Sequence, residues 1–468
     1  MSPDRWRALL PLAGDLPGYL ALAQGIRRMA MEGRLAAGDR LPSERTLAGR
    51  LELSRTTVTR AYGELVRSGW ASARQGSGTR VRIPAEARAP SVPLVPGRRT
   101  DAIDLSAAAG LAPTGTGALI GKALEWLPAS LGSAGYEPFG APHLRARVAE
   151  AYAARGVPTD AEQIVVTPGA LAALSVALHA LVRPGRRVLA DSPTYPGALG
   201  AIAAARARVR PVGLDGAWDL DAWTSAARRT NPAAAYLIPD FHNPTGLLMP
   251  DDQRERLARV LRSSGCVAVV DETLAELRFE GPAATPFAAI DPHAISLGSL
   301  SKTLWGGIRV GWLRCPPELL DPVRTAALQL GLGASALDQL VATSHLEDPG
   351  PIRTEVVDRL RRARATWLAA LADRLPDWRA AAPAGGLALW VELPAPLAPR
   401  LALTGWTHRL LLTGGPEFTP DRTLLNRLRL PLTLPPEAIP EATERLAAAW
   451  DDAVAGRHTD AGVGGFIV

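Results

Sequence analysis

Apolar residues recur at helical spacing three times near the front of the chain. Leu20, Ala23, Ile26 and Ala30 share one face of a helix predicted over 19–32. Pro42 and Ser43 open a short second helix over 43–51. Ser54 caps a third over 54–68, in which Val58, Ala61, Tyr62 and Leu65 point inward. Arg55, Thr56 and Arg60 are left outside. After Gly69 the stretch WASARQGSGTRVRI predicts two short strands around Gln75-Gly-Ser-Gly78. Helix-turn-helix plus hairpin over 14–83 is a winged helix.

The pattern then changes twice. Residues 84–102 carry Pro84, Pro90, Pro93 and Pro96 and read as an extended linker, at roughly 3 Å per residue. From 103 onward short apolar runs alternate with helical patterns. The runs cover 163–167, 187–190, 207–211, 233–238, 266–271, 294–297 and 309–313; helices are expected over 170–181, 220–228 and 251–263. Such alternation predicts a mostly parallel sheet covered on both faces. Residues 350–455 read differently: a long Arg-rich helix, strands near 387–392 and 425–431, and a helix near 438–450. They predict a smaller α+β lobe beside the large one. The body is expected over 103–452, with a loose tail over 453–468.

Charge sharpens the division. Residues 1–100 hold 17 Arg and 8 Asp or Glu, while the remainder holds 35 basic against 38 acidic residues. A basic front on a mildly acidic body favours nucleic acid as partner of the front. No apolar run is long enough to span a bilayer. The first residues lack the zones of a signal peptide. Cys266 and Cys315 have neither CxxC nor zinc-site spacing, so a cytoplasmic location is expected.

Of 52 basic residues only Lys122 and Lys302 are lysine. Guanidinium stays protonated, whereas an amine can lose its proton and condense with a carbonyl. Lys302 lies in GSLSKTLWGGIRVGW, where Ser299 and Arg309 flank it at spacings suited to one phosphate. Lys302 is therefore the candidate catalytic residue. Thr167-Pro-Gly-Ala170 turns from strand to helix, so the Gly169 and Ala170 amides would face an anion. In DSPTYP, Tyr195 could stack on a pyridine ring. Asn243 in FHNPTG suits a ring hydroxyl, with His242 beside it read as structural. Asp271, closing the VAVVD run, suits a ring nitrogen. All fall at strand ends or just beyond, where open α/β sheets bind ligands.

Two resemblances follow from these stretches. LPSERTLAGRLELSRTTVTRAYGELVRSGW…RQGSGTRV resembles the winged-helix domain of the GntR family of bacterial regulators over nearly all of 14–83. The resemblance implies operator contacts from Arg45, Arg55, Thr56 and Thr57, with Gly76 at the wing tip. The order TPGA, SPTYPG, HNPTG, VVDE and SLSKTLWGGIRVGW resembles fold-type I enzymes of the aspartate aminotransferase kind over about 103–452. That likeness implies pyridoxal 5′-phosphate (PLP) as cofactor. It implies that Tyr136, in GYEPFG, reaches the phosphate of a partner subunit. It also implies that Arg429, with Arg427 as rival, binds a substrate or effector carboxylate. The chain departs from the pattern at Thr273 and Leu274, where a tyrosine usually helps hold the ring hydroxyl, and at Leu171, where glutamine is common.

A GntR-type front joined to an aminotransferase-like body resembles the MocR subfamily of transcription regulators. The implied fold class is α/β: a winged helix-turn-helix plus a fold-type I PLP-dependent transferase-like domain with large and small lobes. The implied partners are double-stranded operator DNA, an amine or amino-acid effector, and a second copy in a head-to-tail homodimer. The body is then expected to sense an effector. A working aminotransferase with a DNA-binding appendage is the alternative.

Overall fold

Two serines start the second and third helices of the front unit. The computed structural model describes residues 17–31, 34–74, 78–84 and 102–457. Helix α1 spans Gly18–Met31, α2 Glu44–Leu51 and α3 Arg55–Arg67. Ser43 Oγ accepts the Thr46 amide at 3.1 Å, and Ser54 Oγ the Thr57 amide at 3.0 Å, each satisfying an orphan N–H of a first turn. The inward face of α3, Val58, Ala61, Tyr62 and Leu65, is buried as its spacing requires, against Leu22, Ile26 and Met29. Strands β1 (Ala71–Arg74) and β2 (Gly78–Val81) pair antiparallel and form the wing. Gly76, most of the expected linker and the end of the tail lie outside the described residues.

The body enters through β3 (Ile103–Asp104). Each of the seven apolar runs becomes a strand: β4 (Ile164–Thr167), β5 (Arg187–Ser192), β6 (Arg208–Gly213), β7 (Ala234–Leu237), β8 (Val267–Asp271), β9 (Ile295–Ser299) and β10 (Gly311–Arg314). They form one sheet in the order β4-β10-β9-β8-β7-β5-β6. Only β10 runs against its neighbours. Helices Ala170–Leu181 and Pro196–Ala204 cover one face; Leu220–Thr230 and Asp251–Ser263 cover the other. Val188, Leu189, Val270 and Leu297 are wholly shielded, and burying side chains of this size stabilises by about 1.5–3 kcal/mol each.

The small lobe contains the long helix Gly350–Arg374. Its sheet has β11 (Arg379–Ala380), β12 (Ala388–Glu392), β15 (Arg427–Pro431) and β14 (Thr413–Gly414) in that order. β13 (Leu410–Leu411) pairs in parallel with β3, so the entering chain is stitched to this lobe. The last helix runs Ile439–Ala455, beyond the expected end of the body at 452. The tail therefore does not start at 453. The buried stripe Leu446, Ala449 and Ala453 keeps helical spacing past that point, and Gly456 ends it at φ 67°.

The winged helix rests on its own body beside β6, the margin of the large sheet. Arg210 Nη1 donates to Ala37 O at 2.7 Å and its Nη2 meets Asp39 Oδ1 at 3.1 Å. Arg34 lies 3.7 Å from Asp215, and the Leu424 amide donates to Met31 O at 2.6 Å. Among the described residues no helix is long and apolar enough to cross a membrane.

Candidate functional site

Lys302 sits in the loop after β9, and its Nζ donates to Ala108 O at 2.8 Å. Burial, then the Arg429 guanidinium, pushes its ammonium down to about 8, against the pull of Asp271. An amine with that pKa keeps a far larger neutral fraction near neutral pH than an ordinary lysine, and the neutral form is the one that attacks a carbonyl.

Beside it lies a cradle for an anion. Gly169, at φ 94°, is the N-cap of helix Ala170–Leu181. A side chain there would meet Arg309 Nη2 at 2.6 Å, and one at Gly311 would meet the Ala170 nitrogen at 2.6 Å. Only glycine lets strand, helix end and guanidinium come together at these positions. Arg309 donates to Pro168 O at 3.0 Å and reaches Ser301 Oγ at 3.5 Å. Ser299 Oγ bonds Ser301 Oγ and Val310 O, each at 3.0 Å. The helix dipole, two hydroxyls and one guanidinium thus surround a single spot.

Across from the cradle, Asp271 closes β8. Its carboxylate accepts the Tyr236 phenol at 2.7 Å, the Thr273 hydroxyl at 2.6 Å and the Thr273 amide at 3.0 Å. Asn243 Oδ1 is buried without a partner, the mark of an amide that awaits a polar ligand. Tyr195 caps helix Pro196–Ala204, and Gly197 leaves the space its ring occupies. Burial and the Asp271 charge raise its phenol, while Arg429 and Arg309 pull the other way. His242 is buried behind Asn243, with Nδ1 3.0 Å from Thr245 Oγ1 and Nε2 3.7 Å from Asp191. Burial pushes its imidazole down to about 3, so it is a neutral packing group. Trp312 lies against Gly298 and Tyr152, whereas Trp305 is half-exposed over Gly307.

Arg429 is buried on β15. It donates to Ser106 O, lies 5.5 Å over the Phe418 ring, and keeps an unpartnered Nε. Burial lowers its guanidinium to about 10. Arg427, two residues earlier, is held by Glu392 at 3.3 Å. Ser106 and Ala108, whose carbonyls take Arg429 and Lys302, belong to one segment that continues directly from β3.

The chain thus gathers Lys302, Asp271, Tyr195, Gly169, Ala170, Ser299, Arg309 and Arg429, while Asn243 lies in the loop that follows β7. Tyr136 stands apart, 67% exposed, and hydrogen-bonds none of them among the described residues. In the winged helix Arg45, Arg55 and Thr56 are exposed at the starts of α2 and α3. Thr57 is turned toward its cap, its hydroxyl 2.7 Å from Ser54 Oγ. Arg55 lies 3.6 Å from Glu44, and Arg60 stacks on Tyr19 at 4.0 Å. Sequence reasoning missed Tyr236, Ser301 and the 106–108 carbonyls. Ser301, adjacent to the lysine, was the one with a visible signal.

Comparison with known proteins agrees with this arrangement. Residues 118–446 match the family model for aminotransferase class I and II, and residues 18–81 that for bacterial regulatory proteins of the gntR family. The HTH-type transcriptional regulator TauR of Rhodobacter capsulatus is 28% identical over 92% of this chain and 97% of its own length. The probable rhizopine catabolism regulatory protein MocR of Rhizobium meliloti is 30% identical over 78% of this chain and 79% of its own. Among solved structures, LysN, the alpha-aminoadipate aminotransferase of Thermus thermophilus complexed with N-(5'-phosphopyridoxyl)-L-leucine, superposes with a TM-score of 0.70. It is 28% identical, over 76% of this chain and 94% of that one.

Proposed function

Since the chain belongs to the class I and II aminotransferase family and is a PLP-type DNA-binding regulator of the MocR kind, we propose that its body senses an amino compound and reports it to the winged helix. PLP supplies an aldehyde that condenses with amines and a ring that withdraws electrons. The residues present fit that group. Arg309, Ser299, Ser301 and the Gly169 and Ala170 amides would hold its phosphate. Asp271 would keep a proton on the ring nitrogen, Asn243 would bond the ring hydroxyl, and Tyr195 would stack. Lys302 provides the amine.

One observation carries the sensing role. Lys302 and Arg429 both donate to carbonyls of the same short segment, Ala108 and Ser106. That segment leads back through β3 to the linker. Lys302 can hold Ala108 only while its nitrogen is free to do so. Arg429 can hold Ser106 only while no carboxylate takes its guanidinium. PLP held on Lys302 would take that nitrogen from Ala108, an incoming amine would hand it back, and a carboxylate would draw Arg429 from Ser106, so an amino acid changes both bonds to the segment. Unequal binding to two arrangements is what an effector needs.

The DNA contacts then belong to Arg45, Arg55, Thr56, Thr57 and Gly76, with α3 entering the major groove. We place two copies in the working unit. Exposed Leu328, Leu330 and Leu332, together with Tyr136, supply apolar surface for a partner. In a head-to-tail dimer the Asp39–Arg210 contact would form between subunits, an exchange of identical elements. A bacterial cytoplasm suits a DNA-binding regulator.

The test reads colour and DNA binding together. Purified holoprotein is titrated with simple amines and with amino acids, and operator affinity is followed in parallel. An amino acid should change the spectrum and the affinity, while an amine lacking a carboxylate changes the spectrum with a smaller effect on affinity. Spectral change with no effect on DNA binding for any compound would overturn the sensing role.

A further inference from the structure

The foot of the large sheet carries a patch of arginines that the site does not use. The Arg208 amide donates to Arg186 O and the Gly185 amide to Arg206 O, each at 2.8 Å, so two loops lie side by side. Arg187 and Arg208 are register partners on β5 and β6. Like charges directly opposite one another destabilise a sheet, so their retention calls for an offsetting interaction. Arg186 and Arg187 have a structural use, since they donate to Asn231 O and Thr230 O at the end of helix Leu220–Thr230. Arg183, Arg206, Arg208 and Arg228 are exposed, and among the described residues they make neither ion pair nor side-chain hydrogen bond.

The patch reaches the DNA-binding unit. Arg210, two residues along β6 from Arg208, grips Asp39 at the base of the wing. Arg229 lies within electrostatic reach of Arg80 and Arg40 in the winged helix, as well as Arg210. Arg40 and Arg80 form a bridge beside the wing. Positive charge therefore reaches from the wing onto the body, with Asp39 set among these arginines at the junction. Arginine on such a surface matches phosphate oxygens.

We propose that this arginine apron is a second nucleic-acid surface, which holds the phosphate backbone of duplex DNA flanking the stretch engaged by the winged helix. It rests on the DNA-binding reading above. Contacts to phosphate oxygens add affinity and path without sequence preference.

The experiment uses full-length holoprotein and random-sequence duplexes of about 20 and about 60 base pairs, with binding measured against salt. Wild type should bind the long duplex more tightly per site and with the steeper salt dependence. Arg183→Gln, Arg208→Gln and Arg228→Gln together should lower the long-duplex salt slope by about 2–3 and its affinity at least about tenfold at low salt, with little effect on the short duplex. These side chains make no structural bonds, and an unchanged melting temperature and PLP absorbance check the fold. A second variant, Arg206→Gln with Arg228→Gln, should show the same selectivity to a smaller degree. Equal losses on both duplexes, or none, overturn the apron. Losses confined to anionic lipid vesicles would also overturn it and assign the patch to a membrane. If Arg55→Ala leaves binding to both duplexes unchanged, the winged-helix reading fails instead.

Discussion

The phenol of Tyr236 on β7 donates a 2.7 Å hydrogen bond to Oδ2 of Asp271 on the neighbouring β8. The family pattern brings a phenol from just after this aspartate, where the chain has Thr273 and Leu274. Here a phenol comes from the next strand, and it grips the carboxylate that would face the ring nitrogen. Thr273 binds the same carboxylate from its other oxygen. Tyr236→Phe removes a hydrogen bond to a charged group, worth about 1.5–3 kcal/mol. PLP affinity should fall roughly tenfold or more. A spectroscopic titration of the cofactor-free protein measures it; an unchanged affinity would mean that Thr273 suffices.

Lys302 sets a pH dependence. An ordinary lysine ammonium titrates near 10.5, and burial with Arg429 brings this one to about 8. Only the neutral amine attacks an aldehyde, so capture of PLP by the cofactor-free protein should accelerate through pH 8 and level off above it. Arg429→Gln removes a positive neighbour, and the midpoint should move upward. Stopped-flow absorbance gives the profile; a wild-type midpoint at the ordinary lysine value would contradict the buried setting.

Gly311→Ala tests the anion cradle. The added carbon would stand 2.5 Å from the Gly169 carbonyl carbon and 2.6 Å from the Ala170 nitrogen, both backbone atoms that cannot swing aside. The helix end must shift, and phosphate affinity should drop by an order of magnitude or more. Retention of PLP on gel filtration reports the loss.

The winged helix is docked through Arg210. Arg210→Ala leaves Asp39 Oδ1 and Ala37 O without their guanidinium donor, a cost of about 1–3 kcal/mol. The Leu424 amide, bonded to Met31 O, is the reporter. Its hydrogen exchange should quicken by about fivefold to a hundredfold as the two units part more often. Exchange that stays at the wild-type rate would place the docking energy elsewhere.

Most strands of the large sheet were legible because they are apolar runs bounded by turn residues; β6, with Arg208 and Arg210 in it, is the exception. Their ends were less so: β5 and β9 finish on Ser192 and Ser299, polar residues that face the ligand side and break the run. Lys302, Asp271 and Asn243 could be named because each sits in a local motif. Tyr236 was hidden inside Ala-Ala-Tyr-Leu, where an aromatic reads as core, and its partner is 35 residues away. The grip of Lys302 on Ala108 spans 194 residues and ends on a carbonyl, so no side chain announces it. Docking between the two units was invisible for the same reason, since Arg210 and Asp39 look like ordinary surface charges until the sheet margin is built.

β6 has a strand on one flank only. A bare margin of that kind recruits other chains through its unpaired backbone, and proteins guard against this with charge. With Arg208 and Arg210 spaced along it, β6 stays inhospitable to a foreign strand even when its cover lifts away. Were the winged helix to part from this margin, the exposed sheet would not become a seed for aggregation.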